Sequence, residues 1–209
     1  MDFDFHNLPV HDGVSEDWAI ETFEVGEIES DKTRLRADYT RDNDAFIPAG
    51  CYRRLVKSGD VVMSNTPMEV RTCAEFLENA RGRLLINGLG LGMVLHAVLQ
   101  LPEVTQVTVV ERELDVIKLV GDAFSSDPRV EIIHADAFLY CPPAGVTYDS
   151  AWHDIWHDLS ASNLDGMEAL EQKYLYLTNW QGCWGKHECE QNLLQRQELD
   201  KRLNAYVKG

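Results

Sequence analysis

Three glycines at alternate positions, Gly88, Gly90 and Gly92, interrupt the apolar run "LLINGLGLGMVLHAVL" at residues 84–99, directly after Asn87. Between a strand and a helix, such a turn lets backbone approach a ligand closely and aims the helix's first amides at it. Nineteen residues beyond Gly92, the β-branched stretch "QVTVVE" ends in Glu111, whose carboxylate can accept hydrogen bonds from both hydroxyls of a ribose. The next such stretch, "RVEIIH", runs into "ADAF" and sets Asp136 at its end. A carboxylate there can accept an adenine amino group while an adjacent N–H donates to a ring nitrogen. A fourth stretch, "YDSAWHD", ends at Asp154, with His153 before it and His157 after it. Each feature alone has a plain reading, as close packing for the glycines and solvated loop acids for the rest. Their succession at strand ends points to a nucleoside, because ligands of open α/β sheets bind there. The spacing G-x-G-x-G departs from the dinucleotide pattern G-x-G-x-x-G and counts against NAD.

These residues need elements to hold them. From Arg83 the chain alternates "RLLIN", "LGMVLHAVLQL", "QVTVVE", "ELDVIKLVGDAF", "RVEIIHA", "YDSAWHD", "NLDGMEALEQK" and "YLYLTNW". Strand and helix signals take turns, which predicts a parallel sheet covered by helices on both faces. Before it, "AIETFEV" and "VVMS" read as strands separated by the turns "ESDK", "RDND" and "KSGD". "NTPMEVRTCAEFLENARG" changes period and predicts a helix over about 67–80, with Asn65 or Thr66 as N-cap, Pro67 in the first turn and Gly82 ending it. The last stretch, "GKHECEQNLLQRQELDKRLNAYVKG", predicts a solvated terminal helix. The expected organisation is a β-rich extension over 1–66 and an α/β domain over 67–209.

The 209 residues carry 19 basic and 35 acidic side chains, a formal charge of −16. That field repels nucleic-acid phosphates and anionic lipid, so neither nucleic acid nor membrane is an expected partner. "MDFDFHNLPV" lacks the basic and apolar regions of a secretory signal, and a cytoplasmic location is expected. Five cysteines without C-x-x-C spacing predict reduced thiols. "CWGKHEC" brings Cys183, His187 and Cys189 together but lacks the spacing and second cysteine pair of common metal sites. No metal is expected.

The run from "LLINGLGLGMVLHAVLQLPEVTQVTVVE" through "DPRVEIIHADAF" to "YDSAWHD" resembles class I S-adenosylmethionine-dependent methyltransferases, and more narrowly their spermidine-synthase-like branch. The resemblance covers about residues 50–158, including "RLVKSGDVVMSNTPMEVRTCAEFL". It implies a Rossmann-like fold with a mostly parallel sheet and a small N-terminal β-hairpin extension. It also implies that Gly88, Gly90 and Gly92 lie under the methionine part of S-adenosylmethionine. Glu111, with Arg112 beside it, would hold the ribose, and Asp136 with the backbone of Ala137 would read adenine.

Two departures bear on chemistry. Asn87 stands where many methyltransferases carry an acid; an amide still hydrogen-bonds the amino-acid moiety but does not favour its ammonium by charge. Aminopropyltransferases resembling this branch have an aspartate at the position of Gly90 and a D-S-x-D-P-like motif, whereas "DIWHDL" keeps Asp154 and places His157 at the second aspartate. Methyl transfer to a small, cationic or neutral molecule is therefore the expected activity, with Asp154 and His157 as candidate catalytic residues. Strand alternation puts His153 on the side opposite Asp154. A divalent ion on Asp154 with Asp158 or Asn179 is a weaker possibility. Asn179, Trp180, Gln181 and Trp184 are expected at the fifth strand's end, as substrate pocket or as core. Aminopropyl transfer and a non-catalytic nucleoside-binding module are the competing readings. The open sheet edge could be covered by the N-terminal hairpins or by a second subunit, as in a homodimer.

Overall fold

The computed structural model describes residues 7–40 and 45–208. An antiparallel sheet comes first, in the order β1 (Gly13–Ser15), β2 (Trp18–Val25), β3 (Gly50–Lys57) and β4 (Asp60–Ser64). The turn "KSGD" joins β3 to β4 with Ser58 and Gly59 both at positive φ, the backbone that a tight hairpin requires. The turn expected at "RDND" and the segment 1–6 lie outside the described residues.

One expectation for this region fails. "ESDK" is no turn but lies within helix α1 (Glu27–Thr40). Glu27 and Glu29 sit at its positive end, and Thr33 ties it to Ile47 through hydrogen bonds to both N and O. The helix buries only Ser30 and Ala37 and leaves Ile28, Leu35 and Tyr39 exposed. It therefore has no apolar stripe facing the core for a periodicity argument to detect.

The expected helix over 67–80 forms as two, α2 (Pro67–Thr72) and α3 (Ala74–Asn79), broken at Cys73. Pro67 does open it, but Gly82 begins the next strand. At Gly82 the Asp149 carboxylate fills the space a side chain would need and accepts the Arg83 N–H at 2.8 Å.

A five-stranded sheet then forms from β5 (Gly82–Asn87), β6 (Val104–Glu111), β7 (Val130–His134), β8 (Tyr148–His153) and β9 (Thr178–Cys183). All four pairings are parallel, and the order is β7-β6-β5-β8-β9. The fold is thus α/β and Rossmann-like, as expected. The intervening helices are α4 (Met93–Val98), α5 (Leu114–Val120) and α6 (Leu164–Tyr174), and α7 (Lys186–Lys208) closes the chain. The fifth strand starts later than expected: Tyr174 ends α6, and "TNWQGC" is the strand.

β5 is central, and the chain leaves it first toward β6 and later returns on its other side with β8. The direction of winding reverses there, which opens a crevice beyond the carboxyl ends of the strands. β5 and β6 bury Leu84, Leu85, Ile86, Val107, Val109 and Val110 almost completely, as strands covered on both faces must. The N-terminal sheet lies against α5, where Ser15 Oγ donates to Asp115 Oδ1 at 2.7 Å. Among the described residues no helix is long and apolar enough to cross a membrane.

Candidate active site

The strand ladder continues one residue past the strands. Gly88 N donates to Val110 O, Asp154 N to Asn87 O, Ala135 N to Glu111 O and Trp184 N to His153 O, all at 2.8–3.0 Å. Four loops therefore leave the sheet edge in fixed register. Between them and the N-terminal sheet lies a cavity of about 360 Å³, within the usual size range of small-molecule sites.

Gly88 and Gly90 line the cavity. Gly88 has φ +101°, and a side chain there would run into the Asp154 carbonyl. Gly90, at φ +51°, lies under the Met63 thioether, whose Sδ also accepts the Leu91 N–H at 3.2 Å. Gly92 is placed elsewhere. Its φ of +74° starts α4, and the Phe124 ring and Val120 cover it, so it serves packing and does not face the cavity.

Glu111 is on the wall and nearly buried; its Oε2 accepts the Leu89 N–H and its Oε1 the Glu113 N–H, both at 2.8 Å. Each oxygen keeps a lone pair for a ligand hydroxyl. Arg112 lines the same side and pairs with Glu113 at 3.1 Å. Asp136 Oδ1 accepts the Phe138 N–H at 2.7 Å, while Ala137, also on the wall, has its carbonyl held by Lys173 Nζ at 3.0 Å. Lys173 holds the Phe138 carbonyl as well, at 2.8 Å, and so fixes this loop from α6. No sequence signal singled out Lys173.

Asn87 is fully buried and does not face the cavity. Its Nδ2 donates to His153 Nδ1 at 2.7 Å, and His153 Nε2 donates to Gln181 Oε1 at 3.2 Å. The His153 ring stacks on Tyr174, and burial lowers its pKa to about 4. His153 is thus a neutral core residue on the α6 side, opposite Asp154 as alternation predicts.

Asp154 is on the cavity wall. Burial, then repulsion from Glu69, pushes its carboxyl up to about 7. The neighbour that favours its charge is the Trp152 indole N–H, which is buried and makes no hydrogen bond of good geometry. Glu69, on α2, is also on the wall, and burial raises its pKa. Its Oε1 accepts both N–H and O–H of Ser64 at 2.8 Å. Sequence reasoning read Glu69 only as a helix-start acid; nothing local signals that α2 turns it toward Asp154.

His157 and Asp158 lie on the exposed rim. The Asp158 carboxylate is occupied by Ser160 N and Asn163 Nδ2, and Asn179 lies at the opposite end of the sheet, donating to Asp149 at 3.3 Å. The suggested ion site with Asp154 therefore does not assemble, and no cluster suited to a metal occurs among the described residues. Cys183 and Cys189 pack with Met167 in a small buried cluster. Of the expected fifth-strand group, Trp180 stacks in the core on Phe76 and Trp152, Gln181 serves His153, and only Trp184 reaches the cavity. Trp184 Nε1 donates to Thr72 Oγ1 at 2.9 Å and pins the end of β9 to α2.

No protein-family model matches the chain, and no curated protein matches its sequence. Among solved structures it is similar to spermidine synthase from Thermotoga maritima, at 20% identity and TM-score 0.46, over 81% of this chain and 52% of that one. It is similar to the N-methyltransferase NodS from Bradyrhizobium japonicum WM9, at 12% identity and TM-score 0.39, over 52% and 57%. TrmN from Thermus thermophilus matches at 18% identity and TM-score 0.45, over 61% and 41%. The chain spans about half the length of the first two.

Proposed function

We propose that the protein is an S-adenosylmethionine-dependent methyltransferase acting on a small molecule. The observation that carries this reading is the gathering of Gly88, Gly90, Glu111, Asp136, Ala137 and Asp154 around one cavity. The wall fits an adenosyl group. Backbone without side chains at Gly88 allows close approach, Glu111 retains acceptor capacity for a diol, and Asp136 Oδ2 is unengaged among the described residues. Gly88 and Gly90 would hold the cofactor's amino-acid end, Glu111 and Arg112 its ribose, and Asp136 with Ala137 its base. When bound, that cofactor supplies an electrophilic methyl group on a sulfonium.

The chain's own contribution is positioning and proton handling. Asp154, with a carboxyl near neutrality, is suited to take a proton from an acceptor at neutral pH. His157 on the rim is the second candidate, placed to pass that proton to solvent. Acceptors of low charge or positive charge suit the acidic wall, and duplex nucleic acid and anionic membranes do not.

Aminopropyl transfer is the second reading, favoured by the carboxyl groups on the acceptor side. Against it, the position an aspartate would take at Gly90 lies beneath Met63. Titration calorimetry with S-adenosylmethionine and S-adenosylhomocysteine tests the cofactor, and absence of binding by either at millimolar concentration would overturn the proposal. With binding established, labelled methyl appearing on a small-molecule acceptor separates methyl from aminopropyl transfer.

A further inference from the structure

The loop that follows β7 is organised from within by Asp136. Its carbonyl accepts the Leu139 and Tyr140 N–H groups at 2.9 and 2.8 Å, and its Oδ1 accepts the Phe138 N–H at 2.7 Å. Two groups of these wall residues are left over. Among the described residues Asp136 Oδ2 accepts no hydrogen bond, and the Ala137 N–H donates none.

The same loop is gripped from behind by α6. Leu170 and Tyr174 pack with Ala137 in one buried cluster, and a side chain at Gly166 would meet the tip of the Phe138 ring at 3.5 Å. Lys173 closes the grip, with Nζ donating to the Ala137 carbonyl at 3.0 Å and to the Phe138 carbonyl at 2.8 Å. It does not line the cavity itself. Burial lowers its pKa, while Cys141 and Asp136 nearby favour its charge. No described ion pair includes it, and no other described lysine is hydrogen-bonded to backbone carbonyls. An ammonium drawn partly out of water and given to two carbonyls instead of an acid loses solvation. Its charge-assisted hydrogen bonds offset that loss only while the loop keeps this shape.

We propose that Lys173 is a positioning residue that makes this loop selective for adenine over a 6-oxopurine. This rests on the cofactor reading above and adds to it a specificity determinant that touches no ligand. Adenine offers an amino donor beside a ring-nitrogen acceptor, which match Asp136 Oδ2 and the Ala137 N–H. Hypoxanthine presents the reverse, an oxygen acceptor beside a ring N–H, so both contacts turn unfavourable. Such discrimination needs the acceptor and the donor at a fixed spacing. The peptide between Ala137 and Phe138 sets it: Lys173 holds the carbonyl at one end, and Asp136 Oδ1 holds the N–H at the other. With Oδ1 so engaged, Oδ2 is the oxygen left for the base.

The test compares S-adenosylhomocysteine with S-inosylhomocysteine by titration calorimetry in the wild type, Lys173→Met and Lys173→Arg. The wild type is expected to prefer the adenosyl ligand by at least about tenfold, the scale of one hydrogen bond lost in a buried site. Lys173→Met should reduce that preference to about threefold or less, and Lys173→Arg, which keeps a cation able to donate to both carbonyls, should retain most of it. In the ligand-free protein, amide exchange over 136–140 should be faster in Lys173→Met and restored in Lys173→Arg. A merely structural role would weaken both ligands alike, so equal losses in Lys173→Met overturn the proposal. Equal binding of the two ligands by the wild type overturns it as well. Should Lys173→Met not fold, Lys173→Gln, with a shorter and neutral donor, takes its place under the same expectations. If the wild type binds neither ligand, the cofactor reading falls and this proposal with it; an adenosyl preference that is indifferent to Lys173 overturns this proposal alone.

Discussion

At the scale of single residues, two buried titrating groups act on stability in opposite directions. The Asp154 carboxyl moves from 3.8 to about 7 on folding. The native state then keeps a proton that the unfolded chain has released, so stability is lost as pH rises from about 4 to about 7. Asp154→Asn is expected to be more stable than the wild type at pH 8, by roughly 2–4 kcal/mol, in denaturant titrations. The two should converge near pH 3. The same variant should lose on the order of 10²-fold or more in methyl-transfer rate, as loss of a general base does. His153 moves the other way, from 6.5 to about 4. The folded protein keeps it neutral, and stability is lost as pH falls below about 6.5. His153→Gln should remove that acid sensitivity, worth roughly 2 kcal/mol at pH 5, and melting curves at pH 5 and pH 7 check it. Asn87, which stands at the end of β5 as if to meet a ligand, serves this histidine instead.

At the scale of elements, the glycine loop separates into positions with different duties. Gly88→Ala puts a methyl group against the Asp154 backbone at a φ that side chains avoid, so a loss of about 3 kcal/mol or more is expected. Gly90→Ala meets only the tip of Met63; its cost should be smaller, about 1–2 kcal/mol, and partly relieved by adding Met63→Ala. Equal losses from the two single variants in chemical denaturation would contradict this division. Thr72→Val cuts the hydrogen bond from Trp184 that holds α2 against β9. The expected result is a loss of about 1 kcal/mol, the usual worth of one hydrogen bond, in chemical denaturation. Strands β6 and β7 were legible from their β-branched runs, whereas β9, "TNWQGC", has no such run and begins later than the sequence suggested. Helix α1 was not, because it covers the core with Ser30 and Ala37 while its large apolar residues face outward. The break at Cys73 was equally hidden: "MEVRTCAEFL" contains neither Gly nor Pro, so no strong local breaker marks it.

At the scale of the whole molecule, a charge of −16 surrounds a cavity that itself carries uncompensated acids. Long-range attraction should assist a cationic ligand at low salt. Raising sodium chloride from about 0.05 M to about 0.5 M is expected to weaken binding of S-adenosylmethionine, with its sulfonium charge, more than that of S-adenosylhomocysteine, and equal salt sensitivity of the two would count against that field. The sequence by itself determined the alternation of strands and helices from Gly82 onward, the turn at Gly88, and the delivery of Glu111, Asp136 and Asp154 to one edge. These follow from chain periodicity and from the rule that parallel strands present their carboxyl ends together. Only the tertiary structure decided which way neighbouring side chains turn. Asn87 goes to the core and Gly88 to the cavity because consecutive strand residues face opposite sides. It also decided that Met63 and Glu69, from segments before the parallel sheet, complete the wall. Their placement depends on how the N-terminal sheet and the broken helix pack onto the crevice, a long-range contact with no local signature. The protonation of Asp154 likewise belongs to the fold, because desolvation and the nearby Glu69 exist only once these segments meet.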